Sequence, residues 1–62
     1  MIDLTRVNGK IFSLNEALIE TVEETPDTVI SLTTGKKFIV KESRQEVKNL
    51  VKLYHKDVFT NI

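Results

Sequence analysis

Glu20, Glu23 and Glu24 lie close together, and a single histidine, His55, follows Tyr54 near the C-terminal end. Paired carboxylates can trade protons in acid–base catalysis, and an imidazole titrates near neutral pH. Neither arrangement is completed in this chain. No nucleophile or second functional group accompanies the glutamates, so they read as a charged, solvated strand edge. His55 reads as an ordinary surface position on a helix. One histidine cannot build a histidine metal cluster, and with no cysteine there is neither a thiolate site nor a disulfide. The two glycines, Gly9 and Gly35, both fall in turn signals, which leaves no glycine-rich loop to cradle a phosphate. The expectation is a protein without catalytic residues, metal or cofactor, and so not an enzyme.

The basic residues offer binding chemistry instead. Lys48, Lys52 and Lys56 recur every four positions, which on a helix forms one exposed row. Such a row is usually a solvated face, although it has the charge to touch phosphates or acidic lipid. Arg6 is less ordinary. It shares the alternation of Ile2 and Leu4, where an apolar side chain is expected. An arginine there snorkels, pairs with a carboxylate such as Asp27, or is presented to a partner. Basic and acidic residues number nine each, so the chain is formally neutral, which disfavours nucleic acid as a partner without excluding it. The charge is unevenly spread. Residues 1–31 hold two cations against six acids, a net of −4, and residues 32–62 hold seven against three, a net of +4. Either the two halves attract each other within one fold, or the dipolar chain docks on itself or on a charged partner.

Very little chain is available to position these groups. The 62 residues make one domain, 1–62, and a chain of this size buries only about 60% of its unfolded surface. Residues 2–7 and 10–14 alternate on either side of Asn8-Gly9, the signature of a hairpin with a two-residue type I′ turn. Ile2, Leu4, Ile11 and Phe12 are its expected anchors. Asn15-Glu16-Ala17 is a short polar break. A strand over 19–25 follows, ended by a turn at Pro26-Asp27. Residues 28–33, with Val29, Ile30 and Leu32, read as a central strand buried on both faces. Thr34-Gly35 turns the chain into a strand over 36–41, with Phe38 and Val40 on one face and Ile39 on the other. The period then changes. Ser43-Arg44-Gln45-Glu46 is a capping box, and Val47, Leu50, Val51, Tyr54 and Val58 recur at helical spacing over about 44–57. Leu53 flanks that stripe, and the tail from Phe59 to Ile62 packs or frays. The fold class is α+β: a small curled antiparallel sheet of about five strands followed by one C-terminal amphipathic helix. One helix covers only part of a sheet face, and small cores need support, so a homo-oligomer is expected. No stretch approaches the roughly 18 apolar residues of a membrane span, and no signal peptide is visible, so the protein is expected in the cytoplasm or on the cytoplasmic side of a larger structure.

The stretches LTRVNG at 4–9, TPDTVISLTTGKK at 25–37 and VKES at 40–43, followed by an amphipathic helix, resemble the small bacterial flagellar FlbD family over nearly the whole chain. The resemblance implies a cytoplasmic accessory protein of flagellar motility, associated with swarming and with motor power or torque through the stator or basal body. The family carries no catalytic residues to transfer. Its motif falls here on Leu4, Thr5, Arg6, Asn8, Gly9, Asn15, Pro26, Asp27, Thr28, Gly35, Glu42 and Ser43. Turn and cap chemistry accounts for Asn8, Gly9, Pro26, Gly35 and Ser43. It leaves Thr5, Arg6, Asp27 and Glu42 unexplained, and these, with Arg44, Lys48 and Lys52, are the candidate interaction residues. The opening hairpin is also similar to the carbon-storage regulators, small dimeric RNA-binding post-transcriptional regulators. Arg6 and Arg44 would be the analogous basic residues. That likeness fades after the first hairpin.

Overall fold

The computed structural model describes the backbone of residues 1–60 and the side chains of residues 1–54. The chain forms β1 (Ile2–Thr5), β2 (Ile11–Leu14), a 3-10 turn (Glu16–Leu18), β3 (Ile19–Glu24), β4 (Thr28–Leu32), β5 (Lys37–Val40) and α1 (Arg44–Thr60). The strands pair as one antiparallel hairpin, β1–β2, and one antiparallel three-stranded sheet, β3–β4–β5, with β4 central. A single bridge, Arg6 to Val40, joins the two, and in it the Lys41 N–H donates to the Thr5 carbonyl at 2.8 Å. The α+β class expected from the sequence is therefore observed, with five strands in two sheets that meet at one seam and do not close. The strands are one or two residues shorter at several ends than the alternation suggests, because the turns take the flanking residues.

The turn at Asn8-Gly9 differs in type from the two-residue turn expected there. The Gly9 N–H donates to the Arg6 carbonyl at 2.8 Å, and the Arg6 N–H donates to the Lys10 carbonyl at 2.8 Å. Gly9 has φ +90°, and among the described residues none other than glycine has positive φ. A type I′ turn needs positive φ at both central positions. The loop is instead the three-residue kind, in which only the last position is left-handed. The Asn8 side chain supports it by accepting from the Lys10 N–H at 3.0 Å. The Leu32–Lys36 connection repeats the pattern, with Gly35 at φ +93°. Asn15 shapes the polar break between β2 and β3. Its Oδ1 accepts from the Ala17 N–H at 3.1 Å, which starts the 3-10 turn.

Alternation sorts the strands. Ile2, Leu4, Leu14, Ile30, Leu32 and Val40 point to one side and are buried together with Val47 of α1. Phe12, Val22 and Phe38 pack on the margin of this cluster. Ile11, expected as a hairpin anchor, faces the other way and is 73% exposed. Its strand partner is Thr5, whose position is opposite in phase to Leu4. In β4 one face is buried, through Thr28, Ile30 and Leu32, while Val29 and Ser31 on the other are only half-buried. The capping box forms as spaced: the Glu46 N–H donates to Ser43 Oγ at 3.1 Å and the Ser43 N–H donates to Glu46 Oε1 at 3.2 Å. From there α1 lays Val47, Leu50 and Val51 against β1 and β3. Tyr54 and Leu53 remain exposed. The expectations placed on the side chains of His55, Lys56 and Val58 and on the 59–62 tail lie outside the described residues.

Candidate functional site

Thr5 and Glu42 are 37 positions apart in sequence and form a two-point clasp. The Thr5 N–H donates to Glu42 Oε1 at 2.9 Å, and the Thr5 hydroxyl donates to Oε2 at 2.8 Å. Both residues are half-buried. The clasp sits at the end of β1, where the hairpin meets the chain leaving β5. Partial burial on its own would raise the Glu42 pKa, but the backbone and hydroxyl donors of Thr5 outweigh it and hold the carboxyl below the usual glutamate value. Glu42 is thereby kept ionised as a structural anion.

Arg6, the residue after β1, does not make the carboxylate pairing that was one of the roles expected of it. It does not meet Asp27 or any other carboxylate among the described residues. Its guanidinium lies over the ring of Phe12, 4.4 Å from the centroid, and over that of Phe38, at 5.1 Å. The two rings contact each other with centroids 5.2 Å apart. Phe12 comes from β2 and Phe38 from β5, so the pair spans the seam between the sheets. Alternation places Arg6 on the same side as Leu4, and at that position the strand runs past the buried cluster, so the cation stays exposed.

Arg44 opens α1. Its backbone N–H donates to Glu24 Oε1 at 2.8 Å, which ties the helix start to the end of β3 and puts an anion at the positive helix end. Its exposed side chain borders a polar cleft with Glu23, Glu24 and Gln45. Lys48 and Lys52 are exposed and flank a groove of about 510 Å³ whose apolar lining includes Ile19, Val22, Val47 and Val51. Glu16 also lines the groove, with its carboxylate 2.8 Å from the α-amino group of Met1. Asp27 is exposed in the turn between β3 and β4, where its backbone carbonyl accepts from the Thr25 N–H at 3.2 Å.

The structure thus joins Thr5 to Glu42 and sets Arg6 beside them. Arg44, Lys48 and Lys52 gather on α1, and Asp27 stands apart. Sequence reasoning missed Phe12 and Phe38 as a joint support for Arg6, and Glu24 as a cap. The available signal was an arginine in an apolar phase flanked by strands with one phenylalanine each. Among the described residues no cluster of His, Cys, Asp and Glu could hold a metal ion. No described helix is long and apolar enough to cross a membrane.

Residues 1–59 match the model of the FlbD family, described as flagellar and swarming motility proteins. No curated protein and no solved structure matches the chain significantly.

Proposed function

The chain belongs to the FlbD family of flagellar and swarming motility proteins, and from that premise we propose that it is a non-enzymatic accessory protein of the flagellar motor. It acts in the cytoplasm, at the inner face of the motor, by binding a stator or basal-body protein and so supporting swarming and motor power. The single observation that carries this reading is the family match over residues 1–59. Two features support it. The groove beside α1 combines a half-buried aliphatic lining with the exposed cations Lys48 and Lys52, a combination suited to an amphipathic protein segment with acidic flanks. Apolar side chains also remain uncovered elsewhere, among them Ile11, Ile39 and Leu53.

Affinity capture from motile cells tests the reading. The native protein should recover stator or basal-body components. A Lys48→Glu/Lys52→Glu variant, which reverses the groove's charge without touching the core, should recover them at no more than about a tenth of that level. Capture of no motor protein, together with unchanged motility on deletion, would defeat the proposal.

A further inference from the structure

We propose that Arg6 is a docking site for a carboxylate, an aspartate or glutamate side chain of a protein partner, presented on the Phe12–Phe38 platform. The inference rests on the reading of this protein as a protein-binding module and names one contact that module makes. The guanidinium is exposed, and among the described residues its side chain has neither a hydrogen bond nor an ion pair. The ring quadrupoles attract the charge, but they do not individually accept its five N–H groups. The donor fork is therefore held in place and unspent.

The neighbouring anion is kept away from it. Glu42, bonded to the residue next to Arg6 in the chain, has both carboxylate oxygens engaged by Thr5. Strand alternation sends Thr5 and Arg6 to opposite sides of β1. The L-T-R stretch thus divides three tasks: Leu4 fills the core, Thr5 holds the internal carboxylate, and Arg6, on the side of Leu4 but past the edge of the buried cluster, stays exposed with its donors open. The mutual contact of Phe12 and Phe38 at 5.2 Å fixes the support from two different strands. A stacked arginine of this kind has little rotamer freedom left to lose on binding, which suits bidentate recognition of a planar carboxylate.

Carboxylate is favoured over phosphate by the surroundings. A nucleic-acid strand is gripped by many cations and by aromatic faces free to stack on bases. Here the chain is formally neutral, and both ring faces nearest the cation are already occupied by it.

The test uses the whole chain labelled with ¹⁵N, following the side-chain Nε–H signal of Arg6 in the parent and the backbone amide signals of Phe12 and Phe38 in the parent and in every variant. Three probes are titrated separately: N-acetyl tetraglutamate amide, inorganic phosphate and a uridine decamer. The Arg6 signal should move saturably with the glutamate peptide, and further than with either of the other two probes. Arg6→Lys keeps the charge and loses the fork, and should weaken the peptide about tenfold. Arg6→Met keeps the contact with the rings and should abolish binding, while amide spectra report that each variant is folded. If Arg6→Met does not fold, the Arg6→Lys comparison decides. Absence of a saturable shift, equal peptide affinity in the parent and Arg6→Lys, or a stronger response to phosphate or to the uridine decamer would each overturn the assignment. Failure of the wider motor-protein reading would appear in the capture experiment and not in this titration.

Discussion

Thr5 and Glu42 show how two polar residues can fasten parts of the chain that strand pairing alone leaves weakly joined. A single bridge, which includes the Lys41-to-Thr5 backbone hydrogen bond, connects the hairpin to β5, and the clasp adds two bonds to an ionised acceptor at the same seam. Replacing Glu42 by Ala removes both and should cost about 2 kcal/mol, within the range for hydrogen bonds to a charged group at a partly exposed site. Thr5→Val removes only the hydroxyl bond and should cost about 1 kcal/mol. Urea titration of both variants against the parent checks the order as well as the sizes. The direction of the pH dependence follows from the lowered folded-state pKa of Glu42. A depressed carboxylate contributes stability that is fully present above the unfolded-state pKa and is lost as pH falls through the lower folded value. As pH falls below the ordinary glutamate pKa, the parent should therefore lose stability more steeply than Glu42→Gln, which cannot titrate at this position. Parallel acid profiles would remove Glu42 from the account. Sequence pattern could mark Thr5, Arg6 and Glu42 as residues without a local task. It could not assign their partners, because each partner comes from a different strand or from beyond a turn.

Elements whose determinants are local were legible in the sequence, and those that depend on a distant segment were not. The capping box at Ser43 spans four residues and forms as its spacing requires. Glu24, the third group at the same helix start, lies 20 positions earlier and becomes a cap only once β3 and α1 are packed together. The turn at Asn8-Gly9 was locatable, yet its type was not, since two-residue and three-residue loops share the same Asn-Gly signal. Here Asn8 keeps negative φ and Gly9 alone carries the left-handed conformation. Ile11 was misassigned for the same reason: moving the turn by one residue changes the face each returning side chain occupies. Gly9 therefore has a specific requirement. A Cβ at Gly9 would meet no atom within 4 Å, so the cost of Gly9→Ala is conformational, about 1–2 kcal/mol. Ser43→Ala should cost about 1 kcal/mol through the lost cap. The two changes lie in separate elements with no shared partner, and the double variant should lose the sum within about 0.5 kcal/mol. Thermal or urea unfolding of the three variants measures this, and strong non-additivity would mean that the hairpin and the helix start are coupled through the seam.

Among the described residues, a core of seven aliphatic side chains is paired with an outer sheet side that no described side chain covers. The helix packs on the inner side, against β1 and β3, so it cannot shelter Ile11 or Ile39. The register fixes where those two point. Ile11 is opposite Thr5, Ile39 is opposite Val29, and the Arg6–Val40 bridge sets both isoleucines on the outer side of the joined strands. They are 73% and 45% exposed. A domain of this size gains little from its own core, and burying outward isoleucines against a second copy is a direct way to add apolar burial. The chain's opposite charge imbalance in its two halves removes net repulsion as an obstacle to that association. The expected outcome in light scattering is a mass that rises above the 7.1 kDa of one chain as concentration increases. Ile11→Lys/Ile39→Lys should return the mass to that of one chain with the amide spectrum of a folded protein, because exposed positions tolerate charge at little cost to stability. A parent that stays at 7.1 kDa up to millimolar concentration would mean that the outer face is left for a different protein. Full association of the double lysine variant would move the self-contact to the groove beside α1, where Lys48→Glu/Lys52→Glu would then be the variant that dissociates it.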